Sequence, residues 1–329
     1  MKRKSNKKDW RYMVGIGMSL LMAGSMLCGT VMMLRPADRP APPTPEVTQP
    51  AATPAPPEIT QPTVAPTPTG PAQPTATPAP TSTVTAEVAA GKDSFTFAVC
   101  GDTRNGDAVY ASILQQVMND GARFLIHTGD IVPTGLEFEW KSWQKIQQAL
   151  TIPFYPVPGN HDALLGNMGP YLKYSGAPAA HYSFDIGRAH FSFVDSHSGY
   201  LTADETAWLD ADLARTAQPL KIVVLHYPPF DPNGGEHVMT RGAEEFMSLM
   251  QARGVRYVFA GHLHAYEAAE RDGVQYVITG GGGAPLSAPE DQGGYYHYLL
   301  VHVRGEELSY EVVRVPQPGA QIVPLRAAA

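Results

Sequence analysis

The stretch "FTFAVCGDTRNG", residues 95–106, is an apolar, β-forming run that stops at Gly101-Asp102 and turns polar at once. It reads as a buried strand running into a loop that presents a carboxylate at the strand's carboxyl end. Two residues beyond that carboxylate, where a second metal ligand would be useful, stands Arg104. A guanidinium stays protonated in proteins and has no lone pair to give a metal, so this position must serve another purpose.

The same pattern recurs along the chain. "RFLIHTG", "FYPVPG", "HYSFDIG", "AHFSFVDS", "LKIVVLHYP" and "VRYVFAGH" are further short β-rich runs bounded by turn residues. Helical patterns fall between several of them, at 107–120, 137–150, 202–216 and 241–253. "VQYVITGG", "YYHYLLVHV" and "ELSYEVVRV" follow as strands without helices. Alternating strands and helices with a strand-only tail predict one layered α/β domain with mixed sheets over residues 92–329.

Polar chemistry collects where these strands end: "GDTR", "TGD", "PGNHD", "LHYPP" and "GHLH". They supply two carboxylates (Asp102, Asp130), an amide (Asn160) and four imidazoles (His161, His226, His262, His264). A mixed set of nitrogen and oxygen donors suits Zn, Fe or Mn rather than Ca. Each signal is weak alone: "GD" and "NHD" suit ordinary turns, and a lone His226 reads as a satisfied buried histidine. Five such strand ends in order are much harder to explain that way. The two histidines of "GHLH" would face one side on a strand, whereas in a turn they could diverge onto two metals.

The order GD…GD…GNHD…H…GHxH resembles the calcineurin-like metallophosphoesterase superfamily, with a spacing most similar to purple-acid-phosphatase-like and related bacterial members. The resemblance implies a four-layer αββα sandwich of two mixed β-sheets. It also implies two transition-metal ions (Mn, Fe or Zn) about 3.5 Å apart, and hydrolysis of phosphate mono- or diesters by attack of a metal-bound hydroxide. It assigns Asp102, Asp130 and His264 to a first ion, and Asp130, Asn160, His226 and His262 to a second, with Asp130 bridging. His161 would point at the phosphate or leaving group, and Asp162 would orient it.

The chain departs from the family at its opening motif. Many relatives carry Asp-x-His there, and purple acid phosphatases use a Tyr three residues after the bridging Asp; here those positions are Arg104 and Pro133. The first ion therefore keeps three protein ligands, which is compatible with catalysis. Arg104, with Asn105 beside it, is the expected substrate contact, a planar fork aimed at phosphate oxygens. The alternative for Arg104 is a salt bridge to Asp107 or Asp102.

Other residues take plainer readings. His127, His181, His190, His297 and His302 lie in strand-like runs and read as packed or surface histidines, while His197 and His237 sit in loops near strand ends. "GGGG", residues 280–283, opens no helix, so it reads as a tight turn rather than a phosphate cradle.

The N-terminal part has a different composition. Residues 1–11 carry six positive charges against one negative, and residues 12–34 carry none. Such a run can span a hydrocarbon core of roughly 30 Å as a signal anchor, with the basic flank cytoplasmic and the rest outside the cell. A cleaved signal peptide and a lipoprotein modified at Cys28 are the competing readings, the second disfavoured by the bulky Leu27. Residues 35–91 form an extended spacer, since 36–90 hold sixteen Pro and twelve Thr. With two cysteines, one of them in the apolar run, a disulfide framework or cysteine zinc site is not expected. The net charge of -7 divides unevenly: residues 1–40 have eight Lys/Arg against two Asp/Glu, the remainder sixteen against twenty-nine. So acidic a body argues against a nucleic-acid-binding surface.

Two functions fit: a membrane-tethered, extracytoplasmic phosphoesterase with a monomeric catalytic domain, or a non-catalytic surface binding module that retains the fold. Six of the seven expected core positions hold suitable residues and His161 is present, which favours the enzyme.

Overall fold

The computed structural model describes residues 94–316. The basic flank at 1–11, the apolar run at 12–34 and the spacer at 35–91 lie outside the described residues, as do 92–93 and 317–329.

The opening strand, β1 (Ser94–Cys100), is apolar and buried on both faces from Phe97 to Cys100. Phe95, Phe97 and Val99 point one way, into a cluster shared with a second sheet, while Ala98 and Cys100 point the other way, toward helices. Cys100 is a free, fully buried cysteine whose thiol is pushed far up by burial.

Around β1 the first sheet assembles with parallel and antiparallel neighbours. β2 (Leu125–His127) pairs parallel with β1, and β3 (Phe154–Pro156) pairs parallel with β2. β10 (His297–Arg304) pairs antiparallel on the other side, and β11 (Glu307–Arg314) completes the order β11-β10-β1-β2-β3. The second sheet comprises β4 (Tyr182–Ile186), β5 (Ala189–Phe193), β6 (Leu220–Val224), β7 (Val255–Ala260), β8 (Tyr266–Arg271) and β9 (Val274–Thr279), in the order β4-β5-β6-β7-β9-β8. Its four central strands are parallel and both edge strands antiparallel.

The aromatic-rich cluster of Phe95, Phe97, Phe124, Phe191, Phe193 and Phe259 joins the two sheets face to face. Each such ring, fully buried, contributes about 1.5–3 kcal/mol. On the outer face of the first sheet, α1 (Asp107–Asn119), α2 (Glu137–Gln147) and the short α3 (Gly169–Tyr174) bury Ile113, Trp140 and Tyr171. On the outer face of the second, α4 (Ala203–Arg215) and α5 (Ala243–Ala252) bury Leu209, Leu213 and Met250. This is an α/β fold of two mixed sheets, consistent with an αββα sandwich.

Among the strands and α-helices, two escaped the sequence reading. The segment "YEAAER", rich in helix formers, is edge strand β8, because its six residues pair antiparallel with β9 from Tyr266↔Thr279 to Arg271↔Val274. The six-residue α3 is too short to show a helical period.

For function, the decisive feature is direction. β1, β2 and β3 end at Asp102, Asp130 and Asn160, and β6 and β7 end at His226 and at His262 and His264. The parallel strands of the two packed sheets bring these ends to one place.

Candidate metal centre

Three of the assembled residues have left-handed backbones: Asp102 (φ 59°), Asp130 (φ 56°) and His262 (φ 70°). Non-glycine residues reach that region at a cost, and such strain concentrates at functional sites. Here cross-ties between loops hold it in place. Asp102 N donates to the Gly129 carbonyl at 2.9 Å, while Thr103 N and Arg104 N both donate to the Asp130 carbonyl, at 3.1 and 3.2 Å. Glycines permit the close approach: a Cβ on Gly159 would lie 2.2 Å from Asp130 Oδ1, and one on Gly282 2.3 Å from the Gly101 carbonyl. The "GGGG" segment is thus more than a turn, since Gly282 N and Ala284 N bond the carbonyls of Gly101 and Asp102 at 2.9 and 2.8 Å.

Each carboxylate has one oxygen fixed by a backbone N–H. His262 N donates to Asp102 Oδ2 at 2.9 Å, and His161 N donates to Asp130 Oδ1 at 3.0 Å. The other oxygens differ. Asp102 Oδ1 is buried without a hydrogen-bond partner, and the nearest imidazole nitrogen, His264 Nε2, is 3.5 Å away. Asp130 Oδ2 receives Arg104 Nε at 3.2 Å.

The histidine protons can be assigned from their partners. His226 Nδ1 lies 2.8 Å from the Thr128 carbonyl, which can only accept, so Nδ1 carries the hydrogen and Nε2 a lone pair. That lone pair faces Asn160 Oδ1 at 3.0 Å, Asp130 Oδ1 at 3.3 Å and His262 Nδ1 at 3.3 Å. His264 likewise donates Nδ1–H to the Pro285 carbonyl at 2.7 Å, turning an Nε2 lone pair toward Asp102. Backbone carbonyls that fix ring orientation in this way are typical supports of metal-ligating histidines.

Donor atoms of Asp102, Asp130 and His226 lie within 4.8 Å of one another. A buried carboxylate oxygen with no partner, beside an imidazole lone pair that faces two further oxygens, is unfavourable unless a cation joins them. The residues present therefore fit a transition-metal centre held by imidazole, amide and carboxylate donors. The local electrostatics are divided: burial opposes the His264 imidazolium, but the Asp102 carboxylate beside it outweighs burial and raises its pKa above 6.5. Burial, and then His226, lowers the pKa of His262 to about 3, so its ring is neutral and able to donate a lone pair. Burial works against the Asp130 carboxylate, but His226, His161 and Arg104 outweigh it and hold its pKa below the usual range. Asp102 is pushed up, chiefly by burial.

The structure thus brings together Asp102, Asp130, Asn160, His226, His262 and His264. It places Arg104 on Asp130, a partner that was not anticipated; its Nη2 also lies 3.4 Å from His264 Nε2. Asn105, left-handed at φ 62°, is exposed beside it. The expectation for Asp162 needs correction. His161 is oriented by the Pro133 carbonyl, 2.5 Å from Nδ1, rather than by Asp162. Asp162 is fully buried and accepts from the backbone N–H groups of Ile131 (2.8 Å), Val132 (3.0 Å) and Gly159 (2.9 Å). It ties the Asp130 loop to the Asn160 loop.

Further supports had no strong signature in sequence. His127 is buried, accepts Gly129 N–H on Nδ1 at 3.2 Å, and so donates Nε2–H to Thr103 Oγ1 at 3.1 Å, linking both aspartate loops from below. Ser196 Oγ accepts the backbone N–H of His226 and of Tyr227, each at 3.0 Å, and the Tyr227 ring lies tilted against His262 with centroids 3.8 Å apart. The aromatic after "LH" could have suggested Tyr227; nothing in one sequence marks a carbonyl such as that of Pro133.

Over 161 residues the chain is 29% identical to a 3',5'-cyclic-nucleotide phosphodiesterase of Nostoc sp., covering 46% of this chain and 60% of that protein. Over 200 residues it is 28% identical to purple acid phosphatase 18 of Arabidopsis thaliana, covering 54% and 45%. The chain thus spans only about half the length of these relatives. In fold it is similar to a purple acid phosphatase from yellow lupin seeds (TM-score 0.58, 16% identity, covering 68% of this chain and 52% of that one). It is also similar to a dimetal phosphatase from Danio rerio (TM-score 0.54, 13% identity, covering 67% and 96%). The family model for calcineurin-like phosphoesterases matches residues 95–266, more than half of the sequence and the segment that carries every donor named above, and the chain belongs to that family.

Proposed function

We propose that this protein is a metal-dependent phosphoric ester hydrolase with a binuclear centre. The carrying observation is the convergence of the His226 Nε2 lone pair on Asn160 and Asp130, beside the unpartnered Oδ1 of Asp102. Asp102, Asp130 and His264 would hold one ion, and Asp130, Asn160, His226 and His262 the other. When bound, such ions offset phosphoryl charge and acidify a water molecule.

The chain's own residues supply the rest. In hydrolysis a water oxygen forms a new bond to phosphorus, the bond to the leaving oxygen breaks, and that oxygen takes a proton. His161 is anchored through Nδ1 to Pro133, with Nε2 3.9 Å from Asp130 Oδ2, so its free edge faces the site and can hold a proton for the leaving oxygen. Arg104, with 18% of its side chain exposed, combines its hold on Asp130 with an opening toward substrate. Asn105 adds a neutral contact.

The test is hydrolysis of chromogenic phosphate mono- and diesters by the purified full chain with Mn, Zn or Fe. Two ions per chain and activity reversibly abolished by chelator are expected. Tight metal binding without hydrolysis of any ester would favour a binding module that retains the fold.

We further propose that residues 12–34 anchor the chain in a membrane and that 35–91 hold the domain outside the cell. The support is the basic flank before an uncharged run and the Pro/Thr-rich composition after it. Protease added to intact cells should release the domain; protection of the domain, with a surface control digested, would refute this orientation.

A further inference from the structure

The loops bearing Asp102 and Asp130 both continue into the wall of one cavity of about 740 Å³. Thr103 and Asn105 stand on one wall; Ile131, Val132 and Pro133, directly after Asp130, stand on the other. Pro133 is also the residue whose carbonyl holds His161, whose Nε2 is 3.9 Å from Asp130 Oδ2, so one loop serves both the cavity and the site.

Aromatic rings complete the cavity. Trp143 is fixed in the floor at 6% exposure, set edge-on to Trp140 with centroids 5.8 Å apart and tilted against Phe154 at 5.7 Å. Phe138 stands on the same helix, α2, but is 68% exposed at the cavity rim. Tyr296 lines the cavity as well. Rings of this kind pair with another ring in offset or edge-to-face contact, a gain that an alkyl group of similar size does not obtain.

The charge on the walls narrows the ligand further. Asp107 and Glu139 line the cavity, and among the described residues no lysine, arginine or histidine does. A leaving group carrying its own phosphates or carboxylates would be repelled there, whereas neutral donors could reach Asn105, Asp107 and Ser142.

We propose that this cavity is the leaving-group subsite, and that it selects a planar aromatic, uncharged leaving group joined to the phosphoryl group at the metal centre. The proposal rests on the phosphoesterase reading above and names its substrate class.

The experiment compares phenyl phosphate with hexafluoroisopropyl phosphate, whose leaving groups are of similar acidity, and adds 1-naphthyl phosphate, all on the Mn-loaded full chain. The expected order of kcat/KM is naphthyl, then phenyl, then alkyl, with roughly tenfold between phenyl and alkyl. Phe138→Ala should reduce the aryl-to-alkyl ratio by about the same factor. Ser142→Trp, one helical turn from Phe138, should reduce it by filling the cavity mouth. Binding of 1-naphthol alone, followed by its fluorescence, needs no turnover and should weaken in Phe138→Ala. If the esters are cleaved but neither the ratio nor naphthol binding responds to Phe138→Ala, the subsite is refuted while the hydrolase reading stands. If no ester is cleaved yet naphthol binds in a Phe138-dependent way, the hydrolase reading fails and the aromatic site survives. If neither cleavage nor naphthol binding occurs, both are overturned.

Discussion

Arg104 lays its Nε 3.2 Å from Oδ2 of Asp130, the carboxylate at the centre of the donor cluster. A cation therefore sits where many relatives of this family place a metal-ligating histidine, and it touches the residue expected to bridge two ions. Arg104→Ala should leave metal content unchanged and weaken inhibition by inorganic phosphate by roughly one to two decades, the worth of a hydrogen bond to a charged group. Arg104→Lys should recover only part, because an ammonium keeps the charge without the fork. Loss of metal with phosphate inhibition intact would make Arg104 a structural partner of Asp130.

Asp130 has the highest demand on it: it meets His226 at 3.3 Å, Arg104 at 3.2 Å and the His161 N–H at 3.0 Å. Asp130→Asn keeps the shape but removes the charge that two ions would share. The chain should lose both ions together, seen by metal analysis after gel filtration. Retention of one full equivalent would place the bridge elsewhere.

His161 and Asp162 are neighbours with different duties, and their variants should separate. His161→Ala should keep its metal and its stability while losing about 10²–10⁴-fold in kcat, most for esters with poor leaving groups. Asp162→Ala leaves three buried N–H groups without an acceptor and should lower stability by roughly 3 kcal/mol or more, measured by urea unfolding. An Asp162→Ala chain as stable as the parent but inactive would restore a direct catalytic duty to Asp162.

A second polar network, away from the metal centre, should make folding stability depend on pH. Buried Asp212 accepts from Ser183 and Ser192, each at 2.8 Å, from Arg215 at 2.6 Å, and lies 2.9 Å from His190 Nε2. Burial opposes the His190 imidazolium, but Asp212 and Asp185 outweigh it and raise its pKa above 6.5. Burial also opposes the Asp212 carboxylate, but His190, Ser183 and Ser192 outweigh it and lower its pKa below 3.8. The His190 contribution is complete below pH 6.5 and fades as pH rises through the raised folded value; that of Asp212 is complete above 3.8 and fades as pH falls through the lowered one. The pair should therefore stabilise most between those limits. His190→Gln should lower Tm chiefly in that window, and the difference from the parent should shrink above it. An equal difference at all pH values would show that packing, not charge, is what His190 supplies.

Much of this was legible in one dimension. Whether a strand exists depends on local alternation and turn residues, so the run before Asp102 and nine of the ten later strands could be read from composition. The placement of Asp102, Asp130, Asn160, His226, His262 and His264 just beyond strands was legible too, because a strand's carboxyl end is a local event. Other features depend on neighbours that are distant in sequence. β8 is a strand because β9 pairs with it, whereas its own residues favour a helix. Asp162 faces away from His161 because the buried N–H groups of Ile131 and Val132, thirty-odd positions earlier, require an acceptor. The orientation of His226 follows from the Thr128 carbonyl, and the duty of Arg104 from its distance to Asp130. Sequence by itself determined which groups could act and at which strand ends. Only the packing of two sheets decided which lone pairs converge, because hydrogen bonding and charge are settled by distances of a few ångströms that span tens of residues of chain.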